Sequence, residues 1–309
     1  MVEVAIIIPT FNRAAVFSKT LHAVHEATAT IAAEIIVVND YKHENVTINF
    51  DEYSNVKLIN NPKQGVASAR NLGASIAVAP LLIFVDDDML INSEAIHKAI
   101  RFLTNHKQAS YNANWVYEPM LIKQLHTTQF GRFLLANNFH SLQGWNKNNV
   151  NWVENQLIKS NGITSQFLAL HKTDFEKLGG YNEKFPFAGF EDYEFSKQFI
   201  THNIVNYIDT TVMIYHNEID RTTPNEWLQR KLRGAKTQRV AVNLGHTELV
   251  IHYSILKRCS YTLLILIKPL LIRMLTLIPN FKIIDIIYFK IINILLGTAI
   301  YEGYNFKHN

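Results

Sequence analysis

Short aliphatic and β-branched runs alternate with segments of helical periodicity through the first hundred residues of the chain. The runs are Val4–Ile8, Glu34–Val38, Val56–Ile59 and Leu81–Val85. Helix-compatible patterns lie between and after them, over Arg13–Ala27, Gly65–Ala77 and Ser93–Leu103. This alternation predicts parallel βαβ units in an open α/β sheet with helices on both faces. Ligands of such sheets bind at the carboxyl ends of the strands, so the polar residues after each run are candidate site residues.

Three adjacent carboxylates follow the run Leu81–Val85, at Asp86, Asp87 and Asp88. Like charges this close repel one another unless a cation or hydrogen-bond donors offset the repulsion. Mg²⁺ and Mn²⁺ bind carboxylate oxygens together with substrate phosphates, so the cluster suits a metal–diphosphate site. The alternative is a turn that leads into the helix capped by Asn92, since aspartate is common in such turns.

A second acidic pair, Glu191-Asp192, begins a helical pattern shortly after Gly189 and the glycine pair Gly179-Gly180. Acids at a helix start also complement the helix dipole, and that structural interpretation stays open. A carboxylate in such a position can also act as a general base, which accepts the proton of a hydroxyl group as that oxygen forms a new bond. An acid in a glycine-flanked turn is suited to that role.

With these motifs the chain resembles family 2 glycosyltransferases, which are inverting enzymes of the GT-A fold. The resemblance covers roughly residues 4–240 and consists of five motifs in the expected order. They are Ile6-Ile7-Ile8-Pro9-Thr10-Phe11-Asn12-Arg13, Ile36-Val37-Val38-Asn39-Asp40, Gly65-Val66-Ala67-Ser68-Ala69-Arg70-Asn71-Leu72-Gly73, the Asp-x-Asp motif Asp86-Asp87-Asp88, and Glu191-Asp192. The chain departs from the family after its second strand, where Asn39-Asp40-Tyr41-Lys42 replaces the usual two acids and Gly-Ser.

The resemblance implies a role for each motif. The nucleotide-binding residues that it implies are Pro9, Thr10, Asn12, Arg13, Asp40, Arg70, Asp86 and Asp87. It implies Mn²⁺ or Mg²⁺ held by Asp88 and Asp86, with His216 as a further ligand. A lone histidine at a strand end is more often a structural residue, so both interpretations of His216 stay open. The implied catalytic residues are Asp192, as the base, and Glu191 beside it.

The resemblance and the chain pattern together predict a GT-A catalytic domain over residues 1–245 and a C-terminal extension over residues 246–309. Within the domain, residues 1–110 would form the nucleotide-binding half and residues 111–220 the acceptor-binding half. Aromatic residues in the latter suit sugar stacking, although each is also a natural core residue. They are Trp115, Tyr117, Trp145 and Trp152.

The C-terminal third is both the most basic and the most aliphatic part of the chain. Residues 221–309 carry 13 Lys and Arg against 4 Asp and Glu, whereas residues 1–220 carry 17 against 22. Lysine, arginine and proline interrupt its aliphatic runs, and no unbroken run reaches the ~20 apolar residues of a membrane span. The pattern predicts a basic, membrane-associating helical extension that lies on the bilayer surface. A helix pair buried against the enzyme or a partner subunit is the alternative.

The resemblance to family 2 glycosyltransferases implies a metal-dependent inverting glycosyltransferase of the hexosyltransferase type. The favoured donor is a UDP-sugar, and the acceptor is a saccharide or a polyprenyl-linked saccharide in surface polysaccharide synthesis. The single cysteine, Cys259, fits a reducing compartment, so we expect a cytoplasmic protein, peripheral on the cytoplasmic face of the membrane. The sequence gives no indication of oligomeric state.

The competing classes are a sugar-phosphate nucleotidylyltransferase and a non-catalytic membrane-bound scaffold that binds nucleotide-sugars. The first would carry a Gly-rich basic loop after the first strand, where this chain has Pro9–Arg13, and the second would have lost its acids. A dehydrogenase is disfavoured because no G-x-G-x-x-G follows that strand. A nucleic-acid partner is disfavoured because the positive charge coincides with the aliphatic extension.

Overall fold

The structure is a computed structural model, and it describes residues 2–41, 46, 48, 52–146 and 150–305. Lys42 and the last four residues of the predicted extension therefore lie outside the described residues. The strands are β1 Val4–Thr10, β2 Ala33–Asn39, β3 Val56–Asn60, β4 Leu81–Val85, β5 Met89–Leu90, β6 Ala109–Tyr117, β7 Leu157–Ser160, β8 Phe167–His171 and β9 Val205–His216. The helices are α1 Ala14–Thr28, α2 Val66–Ile76, α3 Ser93–Asn105, α4 Pro119–Thr127, α5 Gln129–Ala136, α6 Leu142–Trp145, α7 Lys172–Leu178, α8 Glu191–Thr201, α9 Pro224–Asn243, α10 Ile255–Leu277 and α11 Asp285–Tyr304.

The nine strands of the described residues form one mixed sheet. Its order is β3-β2-β1-β4-β8-β6-β9-β5, and β7 pairs with β9 away from this path. The first four strands of the order run parallel, as the βαβ pattern predicts. β8 then lies antiparallel between β4 and β6, whereas β6 and β9 run parallel to each other. The predicted α/β class is thus confirmed, with a parallel half and a mixed half.

Continuous apolar runs become central strands because both of their faces are covered. Every residue of β1 and of β4 is buried, and so is all of β2 after its first residue. Helix α2 packs closely on β1 because Gly73 has no side chain. A Cβ at that position would lie 2.4 Å from Cγ2 of Ile7. This close approach sets α2, which carries Arg70, against the strands whose ends bear the predicted site residues.

Two compact units divide the chain. The first consists of Met1–Glu118, Ser141–Pro186 and Glu191–Asn217 and contains the whole sheet. The second consists of Pro119–His140, Phe187–Phe190 and Glu218–Asn309 and contains α4, α5 and α9 to α11. The predicted division at residue 245 stays a prediction.

Within the second unit, α11 packs against α9 and α5, and α10 packs against α11. Gly303 permits the contact of α11 with α9, because a Cβ there would lie 2.2 Å from the carbonyl oxygen of Leu232. Arg132 of α5 binds both carboxylate oxygens of Asp285, at 2.6 and 2.7 Å. Helix α11 is therefore fixed at both of its ends.

Helices α10 and α11, here called the C-terminal helix pair, expose much of their apolar surface. Leu275 is the only buried residue of α10. Its exposed side chains include Leu256, Leu263, Leu266, Leu270 and Leu277. By length and composition alone, Ile255–Leu277 and Lys282–Tyr304 are each long and apolar enough to cross a membrane. The interruptions counted in the sequence therefore do not exclude a span, and the orientation of the pair at a membrane stays a prediction.

Candidate active site

Two arginines contact the three aspartates that follow β4. Asp86 accepts a hydrogen bond from Nη2 of Arg70 at 2.8 Å. Nη1 of Arg13 donates to Asp87 at 2.7 Å and to Asp88 at 2.8 Å. Two arginines thus offset the like-charge repulsion that the sequence pattern implies.

The loop after β1 is fastened to Asp87. Oγ1 of Thr10 donates to the Asp87 carboxylate at 2.9 Å, and the backbone N–H of Phe11 donates to it at 3.4 Å. Pro9 is buried within β1, whereas Asn12 is exposed and adopts a positive φ of 50°. The loop predicted to bind the nucleotide is therefore shaped by the acidic cluster itself.

Asp88 and His216 form a buried carboxylate–imidazole pair. Nε2 of His216 lies 3.3 Å from Oδ1 of Asp88. Strand β5, which directly follows Asp88, pairs with the end of β9 so that Met89 is opposite His216. The backbone N–H of Asn217 also donates to the carbonyl oxygen of Asp88 at 2.7 Å. The strand register therefore fixes both side chains.

This donor set fits a divalent cation. A carboxylate and an imidazole are ligands that Mn²⁺ accepts, and Mg²⁺ takes the carboxylate with phosphate oxygens. The rings of Trp115 and Tyr117 meet the His216 ring edge-on, with centroids 4.9 and 5.6 Å away. Asp86, the other predicted metal ligand, is instead ion-paired with Arg70.

Arg70 joins the two acidic motifs. It is 2% exposed, and its Nη atoms contact Asp86 at 2.8 Å, Glu191 at 3.1 Å and Asp192 at 3.7 Å. Burial acts to lower the pKa of Arg70, but the neighbouring carboxylates, Asp86 foremost, raise it well above its usual value. The guanidinium therefore stays charged and holds three acids of the candidate site around it.

The two acids of α8 differ in exposure. The Glu191 side chain is 3% exposed, whereas that of Asp192 is 24% exposed. The hydroxyl of Ser165 donates to one Asp192 oxygen and its backbone N–H donates to the other at 3.1 Å. Burial raises the pKa of Asp192, while Arg70 and Ser165 act in the opposite direction. Of the pair, Asp192 is the carboxylate that reaches solvent.

The motif around Arg70 also fixes the segment before α8. The side chain of Asn71 donates to the carbonyl oxygen of Tyr181 and accepts from its N–H, both at 2.8 Å. Oγ of Ser165 lies 2.6 Å from the Tyr181 hydroxyl, which connects this segment to the partner of Asp192. Sequence reasoning missed Ser165 and Tyr181. The glycine pair Gly179-Gly180 was the sequence signal available for the turn that places Tyr181, and both glycines adopt a positive φ in the structure.

Asp40 lies in a separate hydrogen-bond network at the end of β2. Its carboxylate accepts from the N–H of Gly65 at 3.0 Å and from Nδ2 of Asn61 at 2.6 Å. Next to it, the rings of Phe11 and Tyr41 pack edge to face, with centroids 5.0 Å apart. Phe11 is exposed, so this pair offers an aromatic surface between the loops after β1 and β2.

Asn217 was also missed from the sequence. It is fully buried, and among the described residues neither its Oδ1 nor its Nδ2 has a hydrogen-bond partner. A buried amide left unpaired is costly, and such groups occur where a water or ligand completes the site. Glu218 follows at the next position in the chain, so this segment carries a further carboxylate.

Comparisons with known proteins agree with these features. A family model described as glycosyl transferase family 2 matches residues 5–160. An uncharacterized glycosyltransferase of Haemophilus influenzae is 30% identical over 116 residues, which cover 37% of this chain and 38% of that protein. A validoxylamine A glucosyltransferase of Streptomyces hygroscopicus is 32% identical over 102 residues, which cover 31% of this chain and 24% of the relative. The chain thus spans well under two thirds of the length of these curated relatives.

Among solved structures, GalNAc-T7 crystallised with UDP, GalNAc and Mn²⁺ superimposes with a TM-score of 0.53 at 15% identity. The match covers 69% of this chain and 43% of that one. At this identity the likeness concerns the fold alone.

Proposed function

The chain belongs to glycosyltransferase family 2, and on that premise we propose that it transfers a sugar from a UDP-sugar to a saccharide hydroxyl with inversion at the anomeric carbon. The observation that carries the proposal is the bridge formed by Arg70. Its guanidinium contacts Asp86 of the first acidic motif and both acids of the second. The residues suited to a donor diphosphate and the residue suited to proton removal therefore share one site.

Asp88 and His216 are the proposed ligands of Mn²⁺ or Mg²⁺. When bound there, such a cation would neutralise negative charge that develops on the leaving nucleoside diphosphate. Thr10 and Arg13 shape the loop beside it through their contacts with Asp87. The UDP and Mn²⁺ bound to the structural neighbour support this donor and cofactor here.

The nucleoside is proposed to lie between the loops after β1 and β2. The exposed Phe11 ring, backed edge-on by Tyr41, offers a face on which a base stacks. Asp40 is near this surface in the chain, but its carboxylate is already bound to Gly65 and Asn61. We therefore propose that Asp40 acts mainly by shaping the base-binding loop.

Asp192 is the proposed base. The acceptor oxygen attacks the anomeric carbon, the bond from that carbon to the phosphate oxygen breaks, and the acceptor proton passes to the Asp192 carboxylate. Ser165 orients the carboxylate through two hydrogen bonds, and Arg70 lies 3.7 Å away. Glu191 is buried in its ion pair with Arg70 and is proposed to position that arginine.

The donor site is tested by nucleotide binding to the wild type and to Asp88→Asn. We expect one of UDP, GDP, dTDP and CDP, with UDP favoured, to bind in the presence of Mn²⁺ and to lose affinity in EDTA. Asp88→Asn should weaken that binding by more than about tenfold, since even the indirect partners of metal ligands contribute this much. Titration calorimetry with Mn²⁺ or EDTA measures both effects.

Asp174→Asn is the matched control, since Asp174 lies in the first turn of α7, outside the site residues described above. Its nucleotide affinity should equal that of the wild type. If the wild type binds none of the four nucleotides in a metal-dependent way, the transferase proposal fails. Metal-independent nucleotide binding without sugar transfer would instead favour the alternative of a non-catalytic scaffold that binds nucleotide-sugars.

The C-terminal helix pair is proposed to hold the enzyme on the cytoplasmic face of a membrane, near a lipid-linked acceptor. Both acidic residues of the pair are ion-paired, Asp285 with Arg132 and Glu302 with Lys268 at 2.7 Å. Five basic residues of residues 255–305 are exposed, namely Lys257, Arg258, Arg273, Lys282 and Lys290. Exposed leucines and exposed positive charge together suit an anionic lipid surface.

We expect the full chain to bind vesicles that contain phosphatidylglycerol more tightly than neutral phosphatidylcholine vesicles. Lys257→Gln combined with Arg258→Gln should weaken that binding about tenfold or more at low salt, because each basic residue near the surface contributes about 1 kcal/mol. Vesicle co-sedimentation measures the change. Lys107→Gln with Lys177→Gln, two exposed lysines of the first unit, is the charge-matched control.

Equal binding to both vesicle types would contradict the electrostatic part of this proposal. Protein that stays with the vesicles after extraction at high pH would show that the helices span the bilayer and do not lie on it. An absence of binding to either vesicle would favour a protein partner for the exposed leucines.

A further inference from the structure

The four aromatic side chains of the predicted acceptor-binding half differ in their exposure to solvent. Trp115 is 0% exposed, and Tyr117 is also buried, so both belong to the core of the first unit. Trp152 is half-buried, and its Nε1 donates to Glu154 at 2.7 Å. Trp145, at the end of α6, is 43% exposed. Trp145 is thus the tryptophan that presents its ring to solvent.

A chain of ring contacts connects Trp145 to the proposed metal ligands. Its centroid lies 6.1 Å from that of Trp115, with the planes at 69°. The Trp115 centroid lies 4.9 Å from that of His216, whose Nε2 is 3.3 Å from Asp88. The centroids of the Trp145 and His216 rings are therefore no further apart than these two centroid distances added together.

Contacts with β6 hold the exposed Trp145 ring in place. The side chain of Ser141 caps α6 by accepting the N–H of Gly144 at 3.2 Å, and Ser141 forms an isolated bridge with Val116 of β6. The fully buried Trp115 supports Trp145 edge-on. Among the described residues, the indole N–H of Trp115 has no hydrogen-bond partner. An exposed aromatic ring that is held in place by a buried one is the kind of preorganised surface on which a ligand packs.

On the basis of the proposed function, we propose that Trp145 is the platform on which a pyranose ring of the acceptor saccharide stacks. The apolar C–H face of a pyranose packs on an indole face, and the exposed indole loses unfavourable contact with water. The donor sugar is attached to the diphosphate and so must lie next to the Asp88–His216 pair. The Trp115 ring lies between Trp145 and His216 in this chain of contacts, so Trp145 is further from the proposed metal ligands than the donor sugar would be. This position suits the acceptor saccharide.

Saccharide binding and transfer are compared in the wild type, Trp145→Ala and Trp145→Tyr, with Phe281→Ala, which truncates an exposed aromatic residue of the second unit, as the control. The probes are methyl glycosides of glucose, galactose, mannose and N-acetylglucosamine and their disaccharides, with Mn²⁺ and UDP for the binding measurements and with Mn²⁺ and a UDP-sugar donor for the transfer measurements. We expect Trp145→Ala to weaken binding of the preferred saccharide and raise its KM by about three- to tenfold. Trp145→Tyr should restore most of the loss, and Phe281→Ala should have no effect.

UDP affinity is measured in the same preparations and should be equal in all four proteins. An unchanged saccharide affinity in Trp145→Ala would overturn the proposal, as would failure of the wild type to bind any probe while it binds UDP. A loss of UDP-sugar affinity without a loss of UDP affinity would assign Trp145 to the donor sugar and also overturn it. Failure to bind UDP would count against the proposed function alone, because Trp145-dependent saccharide binding would still establish the subsite.

Discussion

Asp192→Asn is expected to lower kcat by about 10²- to 10⁴-fold, the contribution typical of a general base. The substitution preserves the shape of the side chain and an oxygen that accepts from Ser165, but the amide cannot take the proton of the acceptor. UDP binding should change little, because Asp192 contacts Arg70 and Ser165 and is not one of the proposed metal ligands. Steady-state transfer rates and UDP titration calorimetry measure the two quantities.

Glu191→Gln is the matched control for this prediction. Glu191 is adjacent in sequence but buried, so its loss should affect folding stability through Arg70 more than proton transfer. A UDP affinity that falls by the same factor as kcat in Asp192→Asn would contradict the assignment of the base. Equal loss of kcat in the two variants would show that the acids act as one unit.

The pH dependence of kcat offers a second measurement on the same variant. Burial raises the pKa of Asp192, and only the deprotonated carboxylate accepts a proton. The rate should therefore fall as the pH decreases through that raised pKa, which lies above the ordinary aspartate value of about 3.9. In Asp192→Asn this acidic limb of the profile should disappear from the residual rate.

The parallel half of the sheet could be predicted because its strands are buried on both faces. Such strands are continuous apolar runs, and the predicted run Leu81–Val85 is identical to β4. The direction of β8 could not be predicted, since the sequence pattern of a buried strand is the same whether its neighbours are parallel or antiparallel. The pairing of β5 with β9, which sets His216 opposite Met89, depends on that second half of the sheet.

The candidate site, like the sheet, could be predicted only in part from the sequence. Adjacency in the sequence identified the three aspartates as a cluster, but it could not show that they diverge toward Arg13, Arg70 and His216. The partner of Asp192 is Ser165, 27 residues away, and no local pattern marks that serine. Local motifs thus located the acids, whereas the charges and donors that set their properties come from distant parts of the chain.

Arg70→Met is expected to lower the free energy of unfolding by about 3–5 kcal/mol, the cost of removing one partner from a buried ionic network. The variant keeps a side chain of similar length but leaves Glu191 without its 3.1 Å partner and Asp86 without its 2.8 Å partner. Arg70→Lys should recover only part of the loss, because one ammonium group cannot reproduce the planar fork that contacts both acids. Urea unfolding, followed by fluorescence, gives the difference.

Arg101→Met, at an exposed position of α3, is the control and should change the free energy of unfolding by less than about 0.5 kcal/mol.

The deficit of Arg70→Met, which is its loss of unfolding free energy relative to the wild type, should become larger as the pH rises. Burial raises the pKa of Asp192 and Arg70 opposes that shift, so without the arginine the folded-state pKa rises further above the unfolded value. A group of this kind stabilises the fold at low pH and loses that contribution as the pH rises through its folded pKa. A deficit that is small, or that does not change with pH, would show that Asp192 does not depend on Arg70 for its charge.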